Sequence, residues 1–369
     1  MKKKLIYILS IAFTSFLIIS CSHSSSPSNY MVFENVRYVT AFPKTFSLDN
    51  TLEVNLDSID IIGINDFCIY DSLLILSTTD REGLWSFVSL PDYVFIGKFF
   101  TLGQGPYEFT QSPYVGSNKV KFFKEKEELF AAIYHFNKGM LYKMNISESI
   151  KNKRLNIYTL KDSLPPILFN FVMIDSTTFF CKELNNMQTQ QIRYILDMGK
   201  KNIPPHLEKL NLAAIEKDED FNLLSTSTKH NINKNIIIEA PTDLNYINMY
   251  SVDGSFSKTI CIGKKLDNIG KIQEKEKGDR MYTSADLRLF LKFWGVVYIN
   301  EDNKTYQIKR RQLPNILLFD WNGEPLAKIK LNQFITSFDI DFINGYLYTF
   351  DVHTEMFTKY DIKEILKEL

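Results

Sequence analysis

The stretch NDFCIYDSLLILSTTDREGLWSFVSLPDYVFIGKFF, residues 65–100, decides the architecture. It breaks into four apolar runs of strand length, rich in β-branched and aromatic residues and separated by polar turns. Tyr70-Asp71-Ser72 makes the first turn and Leu90-Pro91-Asp92 the third. Four strands in so short a span form one meandering sheet, and both faces of that sheet are apolar. It needs a neighbour on each side to be stable.

The rest of the chain supplies the neighbours. The same grammar returns in KVKFFKEKEELFAAIYHFNKGMLYKMNI (119–146), in FNFVMIDSTTFFCKELNNMQTQQIRYILDMG (169–199) and in NIIIEAPTDLNYINMYSVDGSFSKTICIG (235–263). It returns again in FWGVVYINEDNKTYQIKRRQLPNILLFDWNGEPLAKIKL (293–331) and SFDIDFINGYLYTFDVHTEMFTKYDI (337–362). The six second strands centre near Ile75, Phe130, Phe179, Ile237, Val297 and Tyr348, at steps of 49 to 60 residues. Four-strand units recurring at that spacing are β-propeller blades. The expected fold is therefore all-β, a six-bladed β-propeller of four-stranded blades occupying residues 36–369.

Several local features follow from that reading. Val252-Asp253-Gly254 and Trp321-Asn322-Gly323 are outer hairpin turns in which glycine takes a positive φ. The last unit has only three strands before DIKEILKEL, a short C-terminal helix capped by Asp361. Its outer strand is expected from VRYVTAFPK (36–44) or LEVNLDSIDII (52–62), which would close the ring and remove an exposed edge. Two helical insertions are expected between blades. One is PHLEKLNLAAIEKDEDF (205–221), behind Pro204-Pro205; the other is SADLRLFLKFW (284–294), with Ser284 as its N-cap.

Between the first two units lies TLGQGPYEFTQSP (101–113). A phosphate loop opens onto a helix and usually carries a lysine, whereas strands flank this segment and it holds no lysine. It reads as a blade connector. Gly103 and Gly105 allow backbone angles closed to other residues, Pro106 fixes the exit, Glu108 accepts from loop N–H groups, and Phe109 wedges between blades. The pattern GxGPxEF followed by Pro113 resembles the motif of six-bladed, TolB-like propeller lipoproteins of Bacteroidota, and the glycine-phenylalanine-proline core of the NHL repeat. Tyr107 stands where a small residue is often seen. The resemblance spans roughly Tyr38 to Leu369 and implies a fold and an envelope location, not a chemistry.

The N-terminus points to the same place. MKKKLIYILSIAFTSFLIISC has a basic start, an apolar run and a Ser20-Cys21 ending. This is a signal peptide over 1–20 with a lipobox-like close, so Cys21 is the expected lipidated residue and the membrane a partner through its acyl chains. Residues 21–35 are expected to be the lipidated cysteine and a polar tether. No acidic cluster follows Cys21 of the kind the resembled lipoproteins use for surface export, so a periplasm-facing outer-membrane location is expected.

Composition narrows the function classes. Basic and acidic residues number 43 each, and removing Lys2, Lys3 and Lys4 leaves 40 against 43. No basic field exists to draw in nucleic acid. Lys309-Arg310-Arg311 reads as a solvated strand or loop face. Cys68, Cys181 and Cys261 each sit in an apolar run and read as buried small hydrophobes. No CxxC or HExxH spacing occurs, and no cofactor or metal is expected.

In a propeller the turns between second and third strands share a face with the inter-blade connectors. Here the connectors are long (101–118, 199–230 and 264–293), and long segments on a rigid frame are where binding resides. Polar residues near the ends of the second strands form the candidate binding face: Asp80, Arg81, His135, Glu183, Glu239, Glu301, Asp302, Asp351 and His353. The expected function is an envelope-anchored binding or scaffolding protein holding a protein, peptide or glycan. The alternative is a metal-assisted hydrolase or lyase, in which Asp351, His353 and Glu355 place three ligand types on one strand face. A purely structural component is the third class.

Overall fold

A computed structural model describes residues 27–56, 61–185, 189–216 and 218–369. The leader and Cys21 lie outside the described residues. The described strands form six sheets arranged as the blades of a ring, each built on four antiparallel strands. Blade 1 is Ile64–Tyr70, Leu73–Thr78, Trp85–Ser89 and Val94–Phe99. Blade 2 is Val120–Glu125, Glu128–His135, Met140–Asn145 and Ile157–Lys161. Blade 3 is Asn170–Met173, Thr178–Asn185, Gln190–Asp197 and Lys200–Asn202. Blade 4 is Thr226–Asn231, Ile236–Pro241, Tyr246–Ser251 and Ser257–Ile262. Blade 5 is Met281–Leu289, Phe293–Asp302, Asn315–Asp320 and Pro325–Leu331. Blade 6 is Ser337–Asp341, Tyr346–Asp351 and Met356–Asp361, completed by Leu52–Glu53.

Each expected second-strand centre falls in the second strand of its blade. Both faces of each sheet are apolar because each gap between blades is filled. Trp85, Phe87, Phe109 and Tyr142 pack between blades 1 and 2, and Trp294, Phe319, Ile238 and Met249 between blades 4 and 5. Val88, Phe67, Tyr348 and Phe350 fill the gap across which the ring closes. Gly254 and Gly323 both have φ of +78°, as their hairpin turns require. Cys68, Cys181 and Cys261 are buried free thiols.

The two N-terminal segments divide the work expected of either one. Leu52–Glu53 pairs antiparallel with the outer strand of blade 6, matching Glu53 to Thr358 and Leu52 to Lys359. Val36–Val39 instead runs parallel to the outer strand of blade 4, and Lys44–Leu48 parallel to that of blade 5. The chain thus skirts two blades as a fifth strand before closing the sixth, covering two outer edges on its way. Packing starts earlier still, since Met31 and Phe33 are buried against blade 4.

One helical expectation is overturned. Residues 281–289 are the first strand of blade 5, and Ser284, expected as an N-cap, donates its hydroxyl to the Pro241 carbonyl at 2.6 Å. The register shifts twice, between Tyr282 and Ser284 and between Ser284 and Leu287. Such irregularities reset the two-residue alternation, so the apolar positions fall at helix-like spacing. The other insertion does carry a helix, Pro205–Asn211, followed by a 3₁₀ turn, Asp218–Leu224. The C-terminal helix is Lys363–Glu368 with Ile362 at its N-cap, while Asp361 accepts from the Lys363 N–H at 3.0 Å. Among the described residues no helix is long and apolar enough to cross a membrane.

Candidate functional site

The first strands of the blades face the axis, and their charged residues close it. Arg288 of blade 5 donates to Asp286 at 2.8 Å and to Asp66 of blade 1 at 3.2 Å, and it lies 3.8 Å from Asp339 of blade 6. Arg288 also donates to the Phe67 carbonyl at 3.0 Å. Asp66 accepts from the Gly116 N–H at 2.6 Å, and the Lys229 ammonium of blade 4 donates to the Gly116 carbonyl. Burial alone would lower the Arg288 pKa, but Asp286, Asp66 and Asp339 together raise it, so the guanidinium stays charged. Gly116 is required here because a Cβ would lie 2.5 Å from the Arg288 Nη2 and 2.7 Å from the Asp66 Oδ2.

This lock separates two cavities along the axis. The one on the connector face has a volume of about 450 Å³. Its floor is Lys229 and Asp286, and one wall is the connector from Phe109 to Lys119. The opposite walls are Phe136, Phe169, Asn170 and Thr226–Thr228. The cavity on the other face, about 340 Å³, is bounded by the far side of the lock, Arg288 and Asp339, and by Phe342 and Ile343.

The connector-face cavity holds polar groups that the chain itself leaves open. The Lys119 ammonium sits 4.3 Å from the centre of the Phe136 ring, and among the described residues no carboxylate is within ion-pairing distance of it. Burial pushes its pKa down to about 8. Asn170 donates to the Thr226 carbonyl at 3.1 Å, yet its buried Oδ1 has no partner, and neither does the Nδ2 of Asn118. A buried polar atom without a partner costs about 1–3 kcal/mol, so these two atoms give the cavity an unmet demand for polar groups.

The glycine-rich connector forms the rim. Glu108 accepts from the Gly105 N–H at 2.8 Å, as its expected role requires. Neither Gly103 nor Gly105 has a positive φ, however. Glycine is needed there for space: a Cβ on Gly105 would lie 2.9 Å from the Glu108 Oε2, and one on Gly103 would meet the same carboxylate. Phe109 stacks on His135 at 5.0 Å and meets Phe100 edge-on at 5.2 Å, wedged between blades 1 and 2. The Pro106 carbonyl accepts from the Tyr142 hydroxyl at 2.7 Å, and the Pro113 carbonyl accepts from Ser77 and from the Trp85 indole.

Of the candidate face, only His135 lines this cavity. Asp80 pairs with Lys98 at 2.7 Å, and Arg81 is exposed in the same turn. Glu183 accepts from the Tyr194 hydroxyl and pairs with Lys201. Glu239 is fully buried between blades 3 and 4, held by Arg193 at 2.8 Å and by Tyr250. Glu301 accepts from the Arg311 N–H, and Asp302 caps the helix Asn303–Ile308. Asp351 is gripped by both terminal nitrogens of Arg310, at 2.6 and 2.8 Å. Arg310 also lies over the Phe334 ring, so the basic triplet is not simply solvated. His353 and Glu355 follow the strand in an exposed turn, and Glu355 has a φ of +57°, so the three do not share a strand face with Asp351. Among the described residues no group of three or more His, Cys, Asp or Glu is placed to hold a metal ion. The second strands stand one strand out from the axis, so Glu239 and Asp351 are held by local partners away from it, while Arg81 and His353 lie in exposed turns beyond the strand ends.

The residues that do meet at the axis belong to the first strands. A signal for them is present: Asn65-Asp66-Phe67, Ala285-Asp286-Leu287 and Phe338-Asp339-Ile340 each put an aspartate before an apolar residue in the first strand. In all three the carboxylate accepts from the next residue's N–H, at 2.8–2.9 Å.

No family model matches the chain, and no curated protein matches it. Among solved structures it is similar to a protein of Bacteroides fragilis described as exported, with 11% identity, a TM-score of 0.48, and coverage of 83% of this chain and 87% of that one. It is also similar to hydrazine synthase of Kuenenia stuttgartiensis, with 10% identity, a TM-score of 0.43, and coverage of 84% and 79%. The six-bladed ring rests on the strand pairing of this chain, and these matches add no chemistry to it.

Proposed function

We propose that this chain is a binding protein of the cell envelope that holds a peptide, glycan or protein segment in the connector-face cavity. The observation that carries the reading is the cavity itself: about 450 Å³, walled by aromatic rings, with an ammonium and two amide groups left open. Ligand sites are apolar concavities with a few convergent polar groups, often at the mouth of a barrel or ring. The carboxylates of the candidate face are engaged in local pairs, which supports binding over metal-assisted hydrolysis. The glycine motif and the leader together favour a TolB-like propeller lipoprotein, anchored through Cys21 and facing the periplasm.

Two experiments test this. Arrays of glycans and peptides are expected to yield a ligand whose capture is abolished by Ser227→Trp, which fills the cavity from a half-buried wall position while leaving the melting temperature near that of the parent. Ligand capture unaffected by that substitution would place the site elsewhere. For the anchor, Cys21→Ala should abolish acyl labelling and either release the protein from the membrane or stall its processing, because acyl chains contribute about 0.8 kcal/mol per buried CH₂ to attachment. Unchanged acyl labelling of the variant would refute lipidation at Cys21.

A further inference from the structure

We propose that the connector-face cavity selects a carboxylated sugar: Lys119 receives the carboxylate, and the amides of Asn118 and Asn170 read neighbouring hydroxyls. The inference rests on the reading of this cavity as the ligand site and adds the class of ligand.

The argument begins with charge. Lys119 is a single half-buried ammonium held over the face of the Phe136 ring, without an acidic partner among the described residues. A half-buried cation without a counter-charge is costly to keep, and an incoming anion supplies the missing charge. The other charged groups at the floor are committed elsewhere: Lys229 to the Gly116 carbonyl, Asp286 to Arg288. One open ammonium therefore calls for one carboxylate.

The neutral lining argues for a sugar over an acidic peptide. Gln111, Ser117, Asn118, Asn137 and Asn170 give the cavity hydroxyl and amide groups, which both donate and accept as adjacent sugar hydroxyls do. Phe136 and Phe169 add aromatic rings to the lining, and the exposed Tyr114 offers a flat apolar face to the C–H side of a pyranose ring. A peptide captured by strand addition needs free backbone groups at a sheet edge. At the axis, several such groups are already taken by side chains. The carbonyls of Met173 and Ile174 accept from Lys121, and that of Phe67 accepts from Arg288. The N–H groups of Ile69 and Phe338 donate to Asp339 and Asp286.

The test is titration calorimetry on the full chain with trigalacturonate and a hyaluronan tetrasaccharide, against methyl-esterified trigalacturonate and triglutamate. At least one of the two acidic sugars is expected to bind at least tenfold more tightly than the ester and than triglutamate. Lys119→Met should remove that preference, and Lys119→Arg should retain most of it. Lys119→Met is also expected to melt no lower than the parent, since it removes a desolvated charge and keeps the aliphatic stem, so loss of binding will not reflect unfolding. In the parent, affinity for the acid should fall as pH rises through about 8, where the amine loses its proton. Of the other titratable groups lining the cavity, burial holds His135 below its usual pKa and also pushes the Lys229 ammonium on the floor down to about 8, so Lys119→Met should remove this pH dependence, and its persistence in that variant would overturn the role of Lys119. Equal binding of acid and ester, tighter binding of triglutamate, or no binding of either acidic sugar would each overturn the inference. A neutral ligand from the arrays that Ser227→Trp excludes would leave the binding reading intact and refute only the choice of an acid.

Discussion

Arg288→Met should destabilise the ring by about 3–5 kcal/mol, the usual cost of stranding buried charges by removing their partner. Three carboxylates from three blades converge on this guanidinium: Asp66, Asp286 and Asp339. Burial raises the pKa of Asp66 and of Asp339, and Arg288 is the principal opposing influence on both. Without it the folded state would take up protons more readily than the unfolded chain does. The variant's deficit should therefore shrink as pH falls from 7 toward 5. Arg288→Lys, which keeps the charge but loses the fork, should cost less. Urea unfolding at pH 7 and pH 5 measures all three, and a change below about 0.5 kcal/mol for Arg288→Met would mean that the axial lock is not a source of stability.

Glu239→Gln has the second largest expected effect. Its carboxylate is fully buried, accepts from both Nε and Nη2 of Arg193, and lies 3.6 Å from the Lys182 ammonium. Burial would raise its pKa, but Arg193 and Lys182 more than offset this and hold it at about 2, against 4.5 for a free glutamate. A depressed carboxylate pKa stabilises the fold fully above the unfolded value, and that contribution is lost as pH falls through the folded value. The difference between parent and variant should thus be about 3 kcal/mol at pH 7 and decline from pH 4.5 toward pH 2. A pH-independent difference would show that the glutamate acts through packing and not through its charge.

The blade count was legible because each blade repeats one alternation of apolar runs and turns, and the second strands, buried on both faces, carry it most clearly. Ile237, Val297 and Tyr348 are fully buried, and no helical pattern competes around them. The first strand of blade 5 was not legible, since its irregular register imitates a helix. The closing strand was narrowed to two segments but not chosen: Val36–Val39 is a longer run with good strand formers, whereas Leu52–Glu53 pairs through only two residues. Which edge each one meets is a matter of three-dimensional reach. The candidate site was read one strand too far out. Charged residues at the ends of second strands stand out in the sequence, yet they either face the gap between blades, as Glu239 does, or sit in exposed turns, as Arg81 and His353 do. Lys119 precedes one first strand and Asn170 begins another in unremarkable sequence, and what marks them is the partner each one lacks, which only the folded ring discloses.

The central claim is that the connector-face cavity is where this protein binds. Hydrogen exchange of the full chain, with and without the ligand found on the arrays, tests it most directly. Protection is expected in the connector from Phe109 to Lys119 and in the strand Thr226–Asn231, which line the cavity together, with the opposite face unchanged. Protection confined to Phe342 and Ile343 around the other mouth, or to the outer strands of the blades, would contradict it.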